Sequence, residues 1–560
     1  MARQDRERIV FEGFSFLGIL SEKARECIVR LLNIIEDLTA ALWSAQAEIQ
    51  RLRDENNRLK GEQGKPNIKA NAPKSPLPLN YSSEQERHVP KPWSKDTKKD
   101  KIHIDREETL RVDPAILPPD AEFKGYEEVV VQDVILRTDN ICFRKEKYYS
   151  PSQGKTYLAP LPAGYSGQFG PGIKSLAIVL YFGSQVSEPK ILELFRNLGV
   201  LISDGELSNL LIKRQDSFHG ERDAVYEAGL RSSPWQHLDE TSTRVNGQNQ
   251  HCQIVCNPLY TAYFTTESKD RQSVLEVLRH GQPATFVLNC EADRILEVLG
   301  VSKVVRQQLT RLPRGEVLDE ETMLRLLEEH LPKLGPRQRR CILDASGVAA
   351  YHAQVEFPVV KLLVCDDAPQ FALVTEELAL CWVHEGRHYK KMMAYVEYHR
   401  QLLEAFRGQF WEYYSELLAY RQSPSGEERE RLAVKFDQLF STKTGFEALD
   451  DRIAKSKAKK VCLLMVLEHP EISLHNNPAE LGVRTRVRKQ DVSFGPRTAD
   501  GARAWDTFMT LEATARKLDV SFYAYIHDRI SETRQMPGLD SVIERKATEL
   551  NLGASWKSTV

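Results

Sequence analysis

Between residues 31 and 59 the apolar positions Leu31, Ile35, Leu38, Leu42, Ala45, Ile49, Leu52 and Leu59 recur at alternating steps of four and three, with Asn56 in one apolar slot. This spacing is the a/d seam of a coiled coil, which places Ile35, Leu42, Ile49 and Asn56 at a and Leu38, Leu52 and Leu59 at d. Leucine at d and a single buried asparagine at a favour a parallel dimer. Glu48 and Glu55 at g would then face Arg53 and Lys60 at the following e positions. The alternative is an amphipathic helix packed on its own domain. The pattern defines a helical region over 1–60.

From 61 to 118 the periodicity stops and Pro, Lys, Ser and Asn dominate, which predicts a flexible basic linker. Short β patterns such as Glu127–Leu136, closed by the Gly/Pro-rich stretch Leu161–Gly172, predict a small β-rich domain over 119–172. Within 173–232, two capped helices on either side of Gly199 resemble a helix-turn-helix, and an ordinary helical hairpin fits as well. From 233 to 530 the pattern is α/β. Strands flank the turn at Asn257-Pro258, a helix covers Gln272–Arg279, and an apolar strand runs from Val359 to Cys365. Two mostly helical stretches, about 284–356 and 376–469, read as insertions, and 531–560 as a tail.

Composition changes this picture little. The 560 residues carry a net charge of −2, so any polyanion partner must be held by local basic clusters. The chain shows no secretory signal and no apolar run of membrane-spanning length, which predicts a cytoplasmic protein without a membrane partner. Nine scattered cysteines suit free thiols in a reducing compartment. The close pair Cys252 and Cys256 lacks the second pair that a zinc site would need.

The candidate chemistry rests on three acids in distinctive settings: Asp239 in Asp239-Glu240-Thr241, Asp366 at the end of the Val359–Cys365 run, and Glu480 in Asn476-Asn477-Pro478-Ala479-Glu480. Carboxylates converging from distant strand ends are what a pair of hard Mg²⁺ ions needs for phosphoryl transfer. Asp367 and Asp344 compete with Asp366 for the second position. Pro478 suits the first turn of a helix on which Glu480, Arg484 and Arg488 share one face, an arrangement that a surface ion-pair ladder would also explain. His384, Arg387, His388, Lys390 and Lys391, beside Trp382, form a further basic cluster suited to phosphate contacts.

These motifs, together with Cys381-Trp382-Val383-His384 and Arg387, and Arg484 followed by Arg488-Lys489, resemble the transposases of the insertion-sequence 66 family. These are DDE transposases with a ribonuclease H-like catalytic core. The resemblance implies a multidomain chain with an α/β core of that type. It implies Asp239, Asp366 and Glu480 as catalytic, metal-binding residues for two Mg²⁺ ions, with Mn²⁺ able to substitute. It assigns DNA binding to His384, Arg387, Arg484, Arg488 and Lys489. The expected activity is phosphodiester hydrolysis at transposon ends and strand transfer into target DNA. The expected partners are transposon-end DNA, target DNA, a second or further copy through the coiled coil, and possible helper proteins, in a bacterial cytoplasm close to the nucleoid. The chain departs from the family at its small domain. Only Cys142 lies between Leu59 and Cys252, so that domain should fold without the family's zinc element. The alternative reading is a catalytically silent, transposase-derived protein that binds DNA in an architectural or regulatory role.

Overall fold

The computed structural model describes residues 21–60 and 102–557, so most of the expected linker lies outside the described residues. Helix α1 (Glu22–Leu59) forms over the heptad region. Its buried residues are Leu32, Asn33 and Glu36, none of them on the a/d seam. Asn33 donates to the Gly445 carbonyl (2.8 Å) and accepts from the Glu447 N–H (3.1 Å). Glu36 accepts from the Val396 N–H (2.9 Å) and sits 3.1 Å from His399 Nδ1. The seam residues Leu38, Leu42, Ile49, Leu52 and Leu59 are left exposed. The helix therefore docks on its own chain through one stripe and presents the heptad stripe outward.

The β-rich expectation for 119–172 needs correction. Glu127–Leu136 joins no ladder, and Val129, Val131, Val134 and Ile135 are exposed. Alternation makes a strand only where a second strand satisfies its backbone groups. The region keeps one hairpin, β1 (Lys147–Ser150) with β2 (Lys155–Leu158). Helix α2 (Pro171–Ile178) leads through a π turn to α3 (Glu188–Asn197), α4 (Asp204–Ile212) and α5 (Asp216–Arg231). Gly199, at φ +80°, makes the tight turn before α4. Leu192, Phe195, Leu207 and Leu211 bury this helical pair against the body.

The core is a five-stranded mixed sheet in the order β5-β4-β3-β8-β9. Strands β3 (Trp235–Val245), β4 (Gln248–Cys256) and β5 (Thr261–Thr266) form an antiparallel meander. Strands β8 (Leu362–Cys365) and β9 (Glu377–Leu380) extend it in parallel from β3. Between β5 and β8 lie α6 (Arg271–Leu278), β6 (Thr285–Phe286), α7 (Cys290–Val298), α8 (Lys303–Leu309), β7 (Leu318–Asp319), α9 (Glu320–His330) and α10 (Pro336–Ala353). After β9 come α11 (Trp382–Lys391), α12 (Glu397–Gln422), α13 (Gly426–Leu439), α14 (Glu447–Ala458) and the short α15 (Lys460–Leu463) and α16 (Met465–Glu468). The second helical stretch thus begins at Trp382, and Glu377–Leu380, expected inside it, is a strand of the sheet.

Both faces of the sheet are covered, as parallel strands require. On β8, Leu363 and Cys365 enter the larger core, whereas Leu362 and Val364 join the aromatic core of α11–α16 around the fully buried Trp382. Helices α17 (Asn477–Ser493), α18 (Ala499–Lys517), α19 (Phe522–Ile530), α20 (Leu539–Leu550) and α21 (Ala554–Lys557) complete the chain. Helix α18 closes the free edge of β5. Asp506, Thr510 and Thr514, four residues apart on one face, accept from the N–H groups of Thr265 (2.7 Å), Tyr263 (3.0 Å) and Thr261 (3.3 Å). No helix among the described residues is long and apolar enough to cross a membrane.

Candidate functional site

The three acids lie towards one end of the sheet because three elements are latched together. Trp235, Gln236 and His237 of β3 lie beside Leu362, Leu363 and Val364 of β8, and the same offset two residues further brings Asp239 level with Asp366. Asn476, at the start of α17, then fixes the third acid. Its Nδ2 donates to the Leu238 carbonyl (2.8 Å), and its Oδ1 is 3.0 Å from Nδ1 of the buried His237. Burial lowers the pKa of His237 to about 3, so the ring is neutral and its Nδ1–H donates to this oxygen. Pro478 occupies the first turn, and Glu480 N–H bonds to the Asn476 carbonyl (3.0 Å). Gly482 lets α17 approach the sheet, since a Cβ there would stand 2.8 Å from Ile254 Cγ2.

Asp366 and Glu480 are near enough to Asp239 to act on its charge. Burial pushes Asp239 up to about 7, the carboxylates of Asp366, Glu480 and Glu240 add to that rise, and the Glu240 N–H opposes it. Asp366 is half-buried and accepts from the Ala368 N–H at 3.0 Å. The neighbouring candidates are otherwise engaged. Asp367 is exposed and ion-paired with Lys459. Asp344 lies inside helix α10, not at a strand end, and pairs with Arg271 at 2.7 Å. Glu240 turns to Lys269 at 3.4 Å.

Glu480 is braced from α11. Arg387 Nη2 is 3.1 Å from its Oε2, and Arg387 Nη1 donates to His384 Nε2 at 2.7 Å. His384 Nδ1 lies 3.6 Å from Glu480 Oε1, buried and without a hydrogen-bond partner. Burial and the Arg387 charge lower the pKa of His384. Cys381, the residue before α11, adds a buried sulfur that accepts from the Asn476 N–H at 3.2 Å, and burial pushes its thiol up to about 12. Ligating atoms of Cys381, His384 and Glu480 all lie within 4.8 Å of one another.

The residues assigned to DNA binding separate. Arg484 and Arg488 are exposed on α17. Lys489 corrects its assignment: it is fully buried, donates to the Tyr181 carbonyl (2.5 Å) and sits 3.1 Å above the Tyr181 ring. Its position on α17, one residue past the exposed Arg488, turns it inward. Trp382 is likewise interior, with Nε1 donating to the Leu463 carbonyl at 2.8 Å. His384 and Arg387 face Glu480 instead of forming an outer basic surface. Sequence reasoning missed the joining roles of His237 and Asn476. It also missed Cys381 as a donor, for which the three-residue step to His384 was the available signal.

The fold and site together define a multidomain protein with a mixed five-stranded α/β core, helical parts on both faces and half-buried carboxylates near the junction of β3, β8 and α17. No family model matches the chain. It is similar to the uncharacterized protein y4jO of Sinorhizobium fredii (strain NBRC 101917 / NGR234), 31% identical over 309 residues, which cover 55% of this chain and 94% of that protein. The chain belongs to the family of y4jO.

Proposed function

We propose that the chain is a DNA transposase of the DDE type with a ribonuclease H-like core, hydrolysing a phosphodiester at an element end and transferring the 3′ end into target DNA. The observation that carries this reading is that Asp239 lies level with Asp366 across β3 and β8 and that the carboxylates of Asp366 and Glu480 both act on it. The antiparallel meander extended in parallel from its first strand supports the core assignment. One acid on β3, a second directly after the adjacent β8 and a third on a following helix support the DDE assignment.

The donor set fits a pair of hard divalent ions. The Asp366 and Glu480 carboxylates raise the proton affinity of Asp239, which calls for a countercharge, and all three offer oxygen. Asp239, Asp366 and Glu480 would hold Mg²⁺, with Mn²⁺ able to substitute. When bound, the ions supply charge that activates the attacking oxygen and stabilises the leaving one. The protein's own residues do the positioning. Asn476 sets the start of α17 against β3, Ala368 N–H orients Asp366, and Arg387 holds Glu480. The exposed Arg484 and Arg488 offer sequence-independent phosphate contacts on the helix that carries Glu480. The outward seam of α1 would pair two copies as a parallel coiled coil, bringing two element ends together.

The test is strand transfer with Mg²⁺ or Mn²⁺ on DNA carrying the element's ends. Asp239→Asn and Glu480→Gln should each lose at least about 10³-fold in rate, roughly 4 kcal/mol of barrier, while still binding that DNA. Turnover unaffected by both substitutions would overturn the site. DNA binding without cleavage by the wild type, with either ion, would favour a silent DNA-binding role.

A further inference from the structure

Beside the all-oxygen donors of Asp239 and Asp366, the Glu480 side of the cluster is chemically different. It offers one sulfur, one imidazole nitrogen and one carboxylate oxygen, with the ligating atoms within 4.8 Å of one another. The three come from two elements that are firmly joined. Cys381 N–H bonds to the Cys365 carbonyl at 3.0 Å, Trp382 N–H to the Leu474 carbonyl at 2.9 Å, and the Asn476 N–H points at the Cys381 sulfur. Cys381 and His384 lie three residues apart at the start of α11, so their side chains project from one face towards Glu480. His384 Nδ1 is buried, lacks a hydrogen-bond partner and points at Glu480 Oε1 from 3.6 Å. A buried ring nitrogen without a partner is costly in a finished polar network and ordinary in a site that receives an ion.

We propose that Cys381, His384 and Glu480 form a mixed sulfur, nitrogen and oxygen site for a borderline-soft divalent ion such as Zn²⁺ or Co²⁺, distinct in preference from the carboxylate position at Asp239 and Asp366. This rests on the reading of Glu480 as a metal-binding carboxylate. Thiolate and imidazole donors select transition metals over Mg²⁺, so the two sides of one cluster would discriminate between ions. Binding replaces the thiol proton of Cys381, which leaves to solvent, with a sulfur–metal bond. Arg387 occupies the place of the cation beforehand. Its guanidinium spans Glu480 Oε2 (3.1 Å) and His384 Nε2 (2.7 Å). When Nδ1 takes the metal, the imidazole proton belongs on Nε2, so Arg387 must release that nitrogen. With 41% of its side chain exposed, it has room to swing into solvent. Arg387 therefore competes with the ion.

The test is titration of the full chain with Co²⁺ alone, read by absorption, because a thiolate on Co²⁺ gives a near-ultraviolet charge-transfer band that oxygen ligands do not give. The wild type should show that band. Cys381→Ser should lose it together with at least about tenfold in Co²⁺ affinity, and Arg387→Gln should keep it and bind Co²⁺ several-fold more tightly. Asp239→Asn should keep the band, which separates this site from the carboxylate position. A band that survives Cys381→Ser comes from another thiol and overturns the proposal, as does Co²⁺ binding by the wild type with no band. If Mn²⁺ binding depends on Asp239 while no thiolate band forms, the carboxylate reading stands and this one falls. The absence of a band in the wild type overturns the proposal whether or not a variant folds.

Discussion

Two aspartates beside the same sheet, the half-buried Asp239 on β3 and the buried Asp506 on α18, differ in the sign of their neighbours. Burial raises both, but Asp506 has Arg486 at 3.3 Å and the N–H and hydroxyl of Thr265 at 2.7 and 2.8 Å, all favouring its charged form. Around Asp239 the carboxylates of Asp366, Glu480 and Glu240 favour the proton instead. The contrast separates an acid that the fold neutralises from one that it leaves among like charges. Asp506 is neutralised by the fold, closing a sheet edge and holding Arg486 against Trp505. Asp239 is assembled among like charges, a cost that the fold bears and that a bound cation would relieve.

The largest effect on stability should come from breaking the neutralised member. Asp506→Asn leaves the Arg486 side chain, which has no exposed surface, without its countercharge, and should cost about 3–5 kcal/mol in urea denaturation. Asp239→Asn removes a repelled charge and should leave the metal-free protein as stable as wild type, or more so, near neutral pH. Equal losses in the two variants would erase the distinction.

A smaller effect should appear in the pH dependence. The folded chain holds the Asp239 proton up to about pH 7, whereas an unperturbed aspartate releases it near 3.8. The folded state thus binds more protons than the unfolded one across that window. Its contribution to stability is fully present below pH 3.8 and is lost as pH rises through 7, at no more than about 1.4 kcal/mol per pH unit. Asp239→Asn lacks this term. Thermal denaturation without divalent ions should show the variant gaining on wild type from pH 4 to 7, with Mg²⁺ narrowing the gap. A constant difference across the range would mean that Asp239 is not among like charges.

Much of this was legible along the chain, and the exceptions are informative. Asn257-Pro258 marks the β4–β5 turn because proline ends a ladder, and Asp366 follows the four apolar residues Leu362–Cys365 because β8 is buried on both faces. Glu127–Leu136 alternates just as clearly and still makes no strand, because alternation describes one strand and a ladder takes two. Lys489 and Arg488 are adjacent bases with opposite fates, separated only by the helical turn of about 100° per residue and by what packs against α17. The docking stripe of α1 was hidden for a related reason. Leu32, Asn33 and Glu36 include two polar residues, whose partners, the Gly445 carbonyl and the N–H groups of Tyr395 and Val396, lie over 350 positions away.

Helix α17 joins the two aspartates, since it carries Arg486 to Asp506 and Glu480 to the Asp239 cluster, and Gly482 lies between these two residues. A methyl at Gly482 would meet Ile254 Cγ2 at 2.8 Å and stand 3.5 Å from both Thr261 Cγ2 and Tyr263 Oη. Overpacking of that kind costs about 1–3 kcal/mol, and the helix preference of alanine over glycine returns about 1 kcal/mol, so Gly482→Ala should lose only about 1 kcal/mol in urea denaturation. Function should suffer more than stability. Arg486 is anchored by Asp506, Thr265 and Trp505, so the helix should yield at its Glu480 end, lifting that carboxylate away from Asp239. The rate of strand transfer should fall by about tenfold or more, because catalytic groups tolerate little displacement. It should fall without the steep stability loss of Asp506→Asn. A Gly482→Ala variant that gains stability and keeps full activity would show that Ile254 turns aside, and that α17 does not need its close approach to β4 to hold Glu480 in place.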